Sequence, residues 1–135
     1  MIKQVIRDIL IAQEKIISSV GNRVSPSISG IREDLPRIVF ERYDIESSYN
    51  LNGVADQRTD GFNFTVIAET MTECDLISED LKSILEAQLD MSHGSIKIKR
   101  IYLESYGESN YLPDGRETPI FQNILGFKVV YNVSA

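Results

Sequence analysis

The sequence has very few residues that build covalent or metal-bound sites: one cysteine, Cys74, and one histidine, His93. A single cysteine excludes a disulfide framework within the chain and is typical of a reducing compartment. Together the two residues are too few for a structural zinc site of the usual Cys/His type. We interpret Cys74 as a small, partly buried helix residue, and His93 as a polar residue near a helix exit.

Long apolar runs and runs of basic residues are also lacking. No stretch approaches the roughly 18 apolar residues that span a membrane, so we expect no membrane association. Residues 1–20 are interrupted by charged side chains, and no small-residue cleavage site follows, so they make a poor signal peptide. The net charge of −6 argues against affinity for bare nucleic acid, because non-specific binding depends on Lys and Arg.

Catalytic motifs are equally scarce. No glycine-rich phosphate loop lies between a strand and a helix, and no serine sits in a nucleophile elbow. A Ser-His-Asp or Cys-His arrangement would have to use His93. The acidic pairs in the polar segments do not follow the spacing of a calcium loop. We therefore predict no enzyme activity, no catalytic residue, no cofactor and no metal site.

What the sequence does contain is enough apolar surface for one core. The 135 residues are 42% hydrophobic, which suits a single domain spanning 1–135. Apolar residues at steps of three and four predict amphipathic helices over 2–20 and 72–89. Thr72 is expected to cap the second helix.

Four segments have the alternation or the β-branched content of strands: 37–43, 62–68, 96–103 and 125–133. The resulting order is αββαββ. We predict an α+β fold in which two helices pack on one face of a mainly antiparallel, about four-stranded sheet with two long hairpin loops.

The predicted loops are the polar segments 44–60 and 104–118, with turn signals at Asn52-Gly53 and Pro113-Asp114-Gly115. Either they are mobile surface hairpins or they carry contacts, as long loops on a rigid scaffold often do. Tyrosine and arginine are enriched at interfaces, and sheet edges offer unpaired backbone to a neighbouring subunit. The subunit-interface candidates are Tyr49, Leu51, Arg58, Tyr106, Tyr111 and Arg116.

The order of core and turn residues resembles a known family, the small tail-completion proteins of siphophages and prophages. Those proteins have an opening helix, a V-G-x-R-V exit, a connector proline and an L-P-x-I-V strand start. The corresponding residues are Val20-Gly21-Asn22-Arg23-Val24, then Pro26, then Leu35-Pro36-Arg37-Ile38-Val39-Phe40. The likeness continues through 62–68, 72–89 and Val129-Val130-Tyr131, whereas the length of segment 104–118 is variable in such proteins.

The resemblance implies a ring, usually of six subunits, that caps the tail tube and presents a surface to the head connector. The implied partners are further copies of this chain, the tail-tube protein and the head-completion or connector protein, in a virion tail assembled in the host cytoplasm. DNA passes through such a ring without specific binding, and an acidic wall would repel its phosphates. The channel-facing acidic candidates are Glu46, Asp56, Asp60, Glu104 and Glu108.

Two alternatives remain at this point. Another virion subunit, a head-completion or tail-tube protein, has a similar structural role, and continuous polymerisation into tubes would favour the tube subunit. A small cytoplasmic enzyme or ligand-binding domain would instead have a site between sheet and helices. A pocket lined by convergent carboxylates would support that last interpretation.

Overall fold

The computed structural model describes residues 2–21, 23–25, 35–50 and 53–133, with the backbone alone for 46–50 and 53–56. These residues form three helices and one six-stranded sheet. None of the described helices is long and apolar enough to cross a membrane. The helices are α1 (Ile2–Ile11), α2 (Glu14–Val20) and α3 (Met71–Glu86), and the strands are β1 (Val24–Ser25), β2 (Arg37–Asn50), β3 (Gly53–Ala68), β4 (Met91–His93), β5 (Ile96–Tyr111) and β6 (Ile120–Val133).

The strand order in the sheet is β1-β2-β3-β6-β5-β4. The β1–β2 pair is parallel and every other neighbouring pair is antiparallel. The sheet is mixed and strongly curled into a half-barrel, and strand makes up 50% of the chain. The predicted fold, two helices on a four-stranded antiparallel sheet, is therefore wrong.

The largest difference concerns the two polar segments, which are strands and not loops. The β2–β3 ladder continues to the pair Asn50 and Gly53, so only residues 51 and 52 lie between these strands. The β5–β6 ladder continues to the pair Tyr111 and Ile120. Strand pairing is made by backbone N–H and C=O groups, which every residue except proline carries. A polar sequence can therefore extend a ladder that apolar residues have already established.

The predicted helix over 2–20 is divided in two at Gln13, whose backbone is extended, with φ −93° and ψ 123°. The spacing of the buried residues does not require this division, because Ile9 and Ile16 are both buried and lie seven residues apart, close to two turns of 3.6 residues. With the break, each of the two helices still buries an apolar stripe. The buried residues are Ile2, Val5, Ile6, Ile9 and Leu10 in α1 and Ile16 and Val20 in α2.

Helix α3 begins at Met71, one residue before the predicted start, and its N-cap is two residues before the predicted one. The side chain of Thr70, not that of Thr72, accepts a hydrogen bond from the Glu73 N–H at 3.2 Å, and Thr70 has the extended backbone of an N-cap. The helix buries Cys74, Ile77, Leu81 and Leu85 against the sheet.

One hydrophobic core joins all three helices to one face of the sheet. Its centre is four fully buried phenylalanines on three adjacent strands. Phe40 stacks on Phe64 at 5.4 Å between ring centroids, and Phe64 meets Phe127 edge to face at 5.6 Å. Phe62 lies opposite Phe127 in the register. Burying each ring contributes about 2–3 kcal/mol to folding, so this cluster fixes β2, β3 and β6 side by side.

The position of the α3 N-cap yields a test of the fold. Thr70→Ala is expected to lower the free energy of unfolding by about 1 kcal/mol, because the Glu73 N–H loses its acceptor. Thr72→Ala is the matched control, since Thr72 is exposed within the helix and alanine favours helix. Urea denaturation followed by circular dichroism measures both. A larger loss for Thr72→Ala than for Thr70→Ala would contradict this helix start.

Candidate assembly surface

The two long outer strands of the sheet, β2 and β5, have edges that other strands cover only briefly. Strand β1 pairs with Ile38 and Val39 of β2 alone, and β4 pairs with 96–98 of β5. The Asp90 N–H also bonds the Lys99 carbonyl, at 3.1 Å. Among the described residues, no strand covers β2 from Phe40 onwards or β5 from residue 100 onwards. Such edges present backbone donors and acceptors that can pair with another chain.

Large exposed side chains accompany these open edges. Tyr43 and Ile45 on β2 are 47% and 59% exposed, and Tyr102, Tyr106 and Tyr111 on β5 are 37%, 50% and 44% exposed. Proteins that must stay monomeric commonly protect edge strands with lysine or proline. Tyrosine, in contrast, is enriched where protein surfaces meet. The composition of both edges therefore favours contact with a partner.

A charged bridge links the two outer strands across the sheet face opposite the helices. Lys128 on β6 places its Nζ 2.8 Å from Asp44 Oδ2 on β2 and 3.9 Å from Glu104 Oε2 on β5. The Tyr43 hydroxyl donates to the same Glu104 oxygen at 3.3 Å. The hydrogen bond from Lys128 holds the pKa of Asp44 below its ordinary value. This bridge connects β2, β6 and β5 on the face that the helices leave open.

Gly61 on β3 leaves room for the Tyr43 side chain of this bridge, because glycine has no Cβ atom. A Cβ atom on Gly61 would overlap the Tyr43 ring, and one on Gly126 would overlap the Ser105 hydroxyl. Both positions therefore let side chains from the outer strands lie flat across the inner ones. The Tyr43 ring also faces the Lys128 ammonium at 5.4 Å, a favourable cation–π distance.

A second polar group is buried at the other face, at the end of the sheet near the β2–β3 hairpin. Asp60 is fully buried, and its Oδ2 accepts a hydrogen bond from the Tyr131 hydroxyl at 2.8 Å. Arg42 Nε lies 3.4 Å from the same oxygen. Burial and the Asp60 carboxylate raise the pKa of Tyr131 to about 12. Asp60 does not fit its predicted place on a channel wall, because its side chain is inaccessible.

The Asp60 group lies at the base of an extension of the sheet. Pairing between β3 and β6 begins at Gln57, whereas β3 itself begins at Gly53. The pairs Tyr49 with Val54 and Asn50 with Gly53 therefore lie beyond β6, and these ends of β2 and β3 pair only with each other. The contacts of Asp60 with β2 and β6 hold this two-stranded extension to the body of the sheet.

The other predicted contact residues fall at separate places on the sheet. Tyr106 and Glu108 share one face of β5, and the Tyr106 hydroxyl donates to Glu108 Oε1 at 2.5 Å. Burial and this carboxylate raise the pKa of Tyr106. Arg58 is exposed on β3, opposite Ser47 and Tyr131 in the register. Tyr49, Glu46 and Asp56 lie on the β2–β3 hairpin with side chains outside the described residues, and Leu51 lies outside them altogether.

Tyr111 and Arg116 come together beside a groove of about 610 Å³ on the face opposite the helices. Its floor is a small apolar cluster of Val39, Ile67 and Ile120. Arg116 pairs with Glu69 at 3.5 Å on one side. Among the described residues no three Asp, Glu, His or Cys side chains are placed to hold a metal ion. Because the groove lies on the face opposite the helices, it is an open surface feature and not a site between sheet and helices.

The lone cysteine and histidine have structural contacts. Cys74 is fully buried, and its thiol lies 3.3 Å from the Val66 carbonyl oxygen. Burial raises the pKa of this thiol to about 11, which keeps it protonated and unreactive. His93 lies on β4, not at a helix exit, and its Nε2 is 2.9 Å from Gln88 Oε1.

Tyr43, Tyr102 and Lys128 belong to this surface and do not stand out in the sequence as contact residues. Lys128 had a detectable signal, since it is the one charged residue in the apolar strand 125–133. A lysine there has to find an acid across the sheet or stay solvated. The two tyrosines had no such signal, because edge exposure depends on strand order.

Comparison with known proteins finds a similar fold but no similar sequence family. No protein-family model matches the sequence, and no curated protein matches it. Among solved structures, the chain is similar to a chain of the virion of a native gene transfer agent particle. The TM-score is 0.72 at 13% sequence identity, and the match covers 94% of this chain and 91% of that chain. The likeness shows that the two chains share one fold over nearly their whole lengths.

The buried thiol predicts a pH dependence of stability. The folded chain holds the Cys74 proton up to about pH 11, whereas the ordinary thiol pKa is 9.0. The contribution of this thiol to the free energy of unfolding is therefore fully present below pH 9. It is lost as the pH rises from 9 to 11, by at most about 1.4 kcal/mol per pH unit.

Cys74→Ala is expected to remove this part of the loss, while any loss from Tyr131 at higher pH remains. The free energy of unfolding of parent and variant, measured between pH 8 and 11, gives the difference. Parallel curves for the two proteins would contradict the burial of a protonated thiol.

Proposed function

We propose that this chain is a structural subunit of a phage-like virion and works by assembling with copies of itself. The observation that carries the proposal is the pair of long open edges, β2 and β5, lined by exposed tyrosines and Ile45. The fold shared with a chain of a gene transfer agent virion supports the same class of function.

The form of assembly we propose is a closed ring, most simply of six copies. A ring is built from heterologous contacts, in which one surface meets a different surface of the next copy. The two edges suit this requirement, because β2 and β5 lie on opposite sides of the same sheet and have different sequences. Each copy thereby has two unlike joints, one for each neighbour.

The finer role we propose is that of a tail-completion, or tail-terminator, subunit. The ring caps the tail-tube protein when the tube is complete, and its other side meets the head-completion or connector protein. The sequence resemblance to tail-completion proteins supports this assignment, and the similar fold of a virion chain is consistent with it. Location in the virion tail follows from the same role.

DNA passes through the proposed ring without specific binding. The net charge of −6 supports this part of the proposal, since a negative wall repels phosphates. Of the acidic candidates with described side chains, Glu104 and Glu108 are exposed. Glu104 is partly neutralised by Lys128. Glu108 therefore becomes the stronger candidate for a channel wall.

The direct test is the mass and shape of the purified chain. Light scattering and negative-stain imaging over a wide concentration range are expected to show closed rings of one size that appear as the concentration rises. Open tubes of variable length would instead indicate a tail-tube subunit. A chain that remains monomeric at every concentration and on isolated tail tubes would contradict the proposal.

Single aromatic residues at the joints are expected to carry much of the assembly energy. Tyr111→Ala and Tyr49→Ala should leave the monomer folded and weaken ring formation at least about tenfold. Leu76→Ala is the control, because Leu76 is 58% exposed on α3 and belongs to neither edge strand. Rings that form normally from both tyrosine variants would show that these two residues are not the anchors.

A further inference from the structure

We infer that the β5 edge of one copy pairs with the β2 edge of the next as an antiparallel ladder, so that the sheet continues across the subunit joint. The inference rests on the proposed self-assembly and specifies its geometry. Three features of the described residues lead to it: strand direction, the heights of the open edges, and the side chains along them.

Strand direction makes the two edges compatible. The four long strands, in the order β2-β3-β6-β5, form three successive antiparallel pairs. Hence β2 and β5 run in opposite directions. A neighbouring copy placed edge to edge, without being turned over, therefore brings its β2 antiparallel to β5. If the sheet had an odd number of long strands, its two outer strands would run in the same direction. A neighbouring copy placed in this way would then pair parallel, which is less stable.

The open stretches also lie at the same height in the sheet. We call two residues level when successive strand pairs connect them directly across the sheet. Phe40 is level with Tyr106 in this sense, because Phe40 pairs with Phe64, Phe64 with Leu125, and Leu125 with Tyr106. At the other end Glu46 is level with Arg100, since Glu46 pairs with Thr59, Thr59 with Val130, and Val130 with Arg100. Residues 40–46 of one copy can thus face 100–106 of another.

Irregularities in the two stretches match. Strand β2 has one register shift between Arg42 and Asp44, and β5 has one between Leu103 and Ser105. Arg42 and Leu103 are level, so the two extra residues lie at neighbouring heights. Beyond the stretch, β4 occupies the β5 edge, and β1 of the next copy occupies the β2 edge. The backbone ladder of the joint is thereby limited to one short stretch, which selects one register, and Tyr49 and Tyr111 lie outside this ladder.

The side chains of the facing stretches suit a cross-strand contact. Ile45 is 59% exposed and Tyr102 is 37% exposed, and both lie inside the stretches. In the register, Ile45 is level with the β-branched Ile101 on the helix face, and Tyr102 is level with Asp44 on the opposite face. Pairs of β-branched residues across strands stabilise antiparallel ladders, as do opposite charges placed opposite each other. Arg100, whose guanidinium stacks on the Tyr102 ring at 4.8 Å, is level with Glu46. The joint would cover Ile45 on one face and Tyr102 on the other, and it places the backbone of Glu46 opposite Arg100.

Blocking one edge at a time tests this joint. Ile45→Lys blocks the β2 edge and Tyr102→Lys blocks the β5 edge, because an inserted lysine opposes edge pairing. Each variant alone is expected to stay monomeric at concentrations where the parent forms rings. A mixture of the two is expected to form a 1:1 heterodimer and nothing larger, since one intact β5 edge still meets one intact β2 edge. Native mass spectrometry distinguishes the variants by mass.

The control is Leu76→Lys on α3, which should assemble like the parent. Hydrogen exchange supplies the second readout: on ring formation, amides in 40–46 and 100–106 are expected to slow at least about tenfold, while those of α3 do not change.

Rings whose edge amides exchange as fast as in the monomer, or edge variants that assemble normally, would overturn this joint and leave the proposed ring intact. A parent chain that never assembles would overturn both.

Discussion

The buried phenylalanine cluster is the constraint on which the rest of the molecule depends. Phe40, Phe62, Phe64 and Phe127 hold β2, β3 and β6 in one register beneath the helices. A slip of one residue would turn every side chain of a strand to the other face and expose these rings. Because the centre of the sheet is fixed in this way, its polar outer parts can extend as strands without apolar side chains of their own.

The two faces of the sheet are stabilised by different means. The helix face is closed by apolar packing and ends in the buried Asp60 and Tyr131, beside the half-buried Arg42. The opposite face has a bridge of Lys128 with Asp44 and Glu104, accommodated by glycine. Ion pairs at partly exposed positions contribute little to stability, so we assign this bridge mainly a positioning role. It fixes β2 and β5 relative to each other, and these are the strands that carry the open edges.

Sequence patterns located the apolar part of the fold well. Strand starts at Arg37 and Ile96 and the end of the last strand at Val133 agree with the structure. The patterns failed at residues 44–60 and 104–118, because periodicity reports side-chain burial whereas those segments are joined through their backbones. Asp60 shows this most clearly. It continues the alternation of Phe62 and Phe64 and shares their buried face, although its polarity suggested a loop.

The assembly surface was predictable only in part, for a related reason. Tyr106 and Tyr111 were selected from sequence and are exposed on an outer strand, but they were assigned to a loop. Tyr43 and Tyr102 could not be selected, since a strand becomes an edge only through the order of the whole sheet. Strand order depends on contacts between residues far apart in sequence, such as Phe40 with Phe64 and Phe64 with Phe127.

The most direct test of the proposed role is made on tails, not on the isolated chain. The measurement is tail length and head attachment, by electron microscopy, in particles produced after deletion of the gene for this chain from the genome that encodes it. We expect headless tubes of variable and excessive length, with normal particles restored by supplying the chain in trans. Tails of normal length joined to heads without this chain would contradict it.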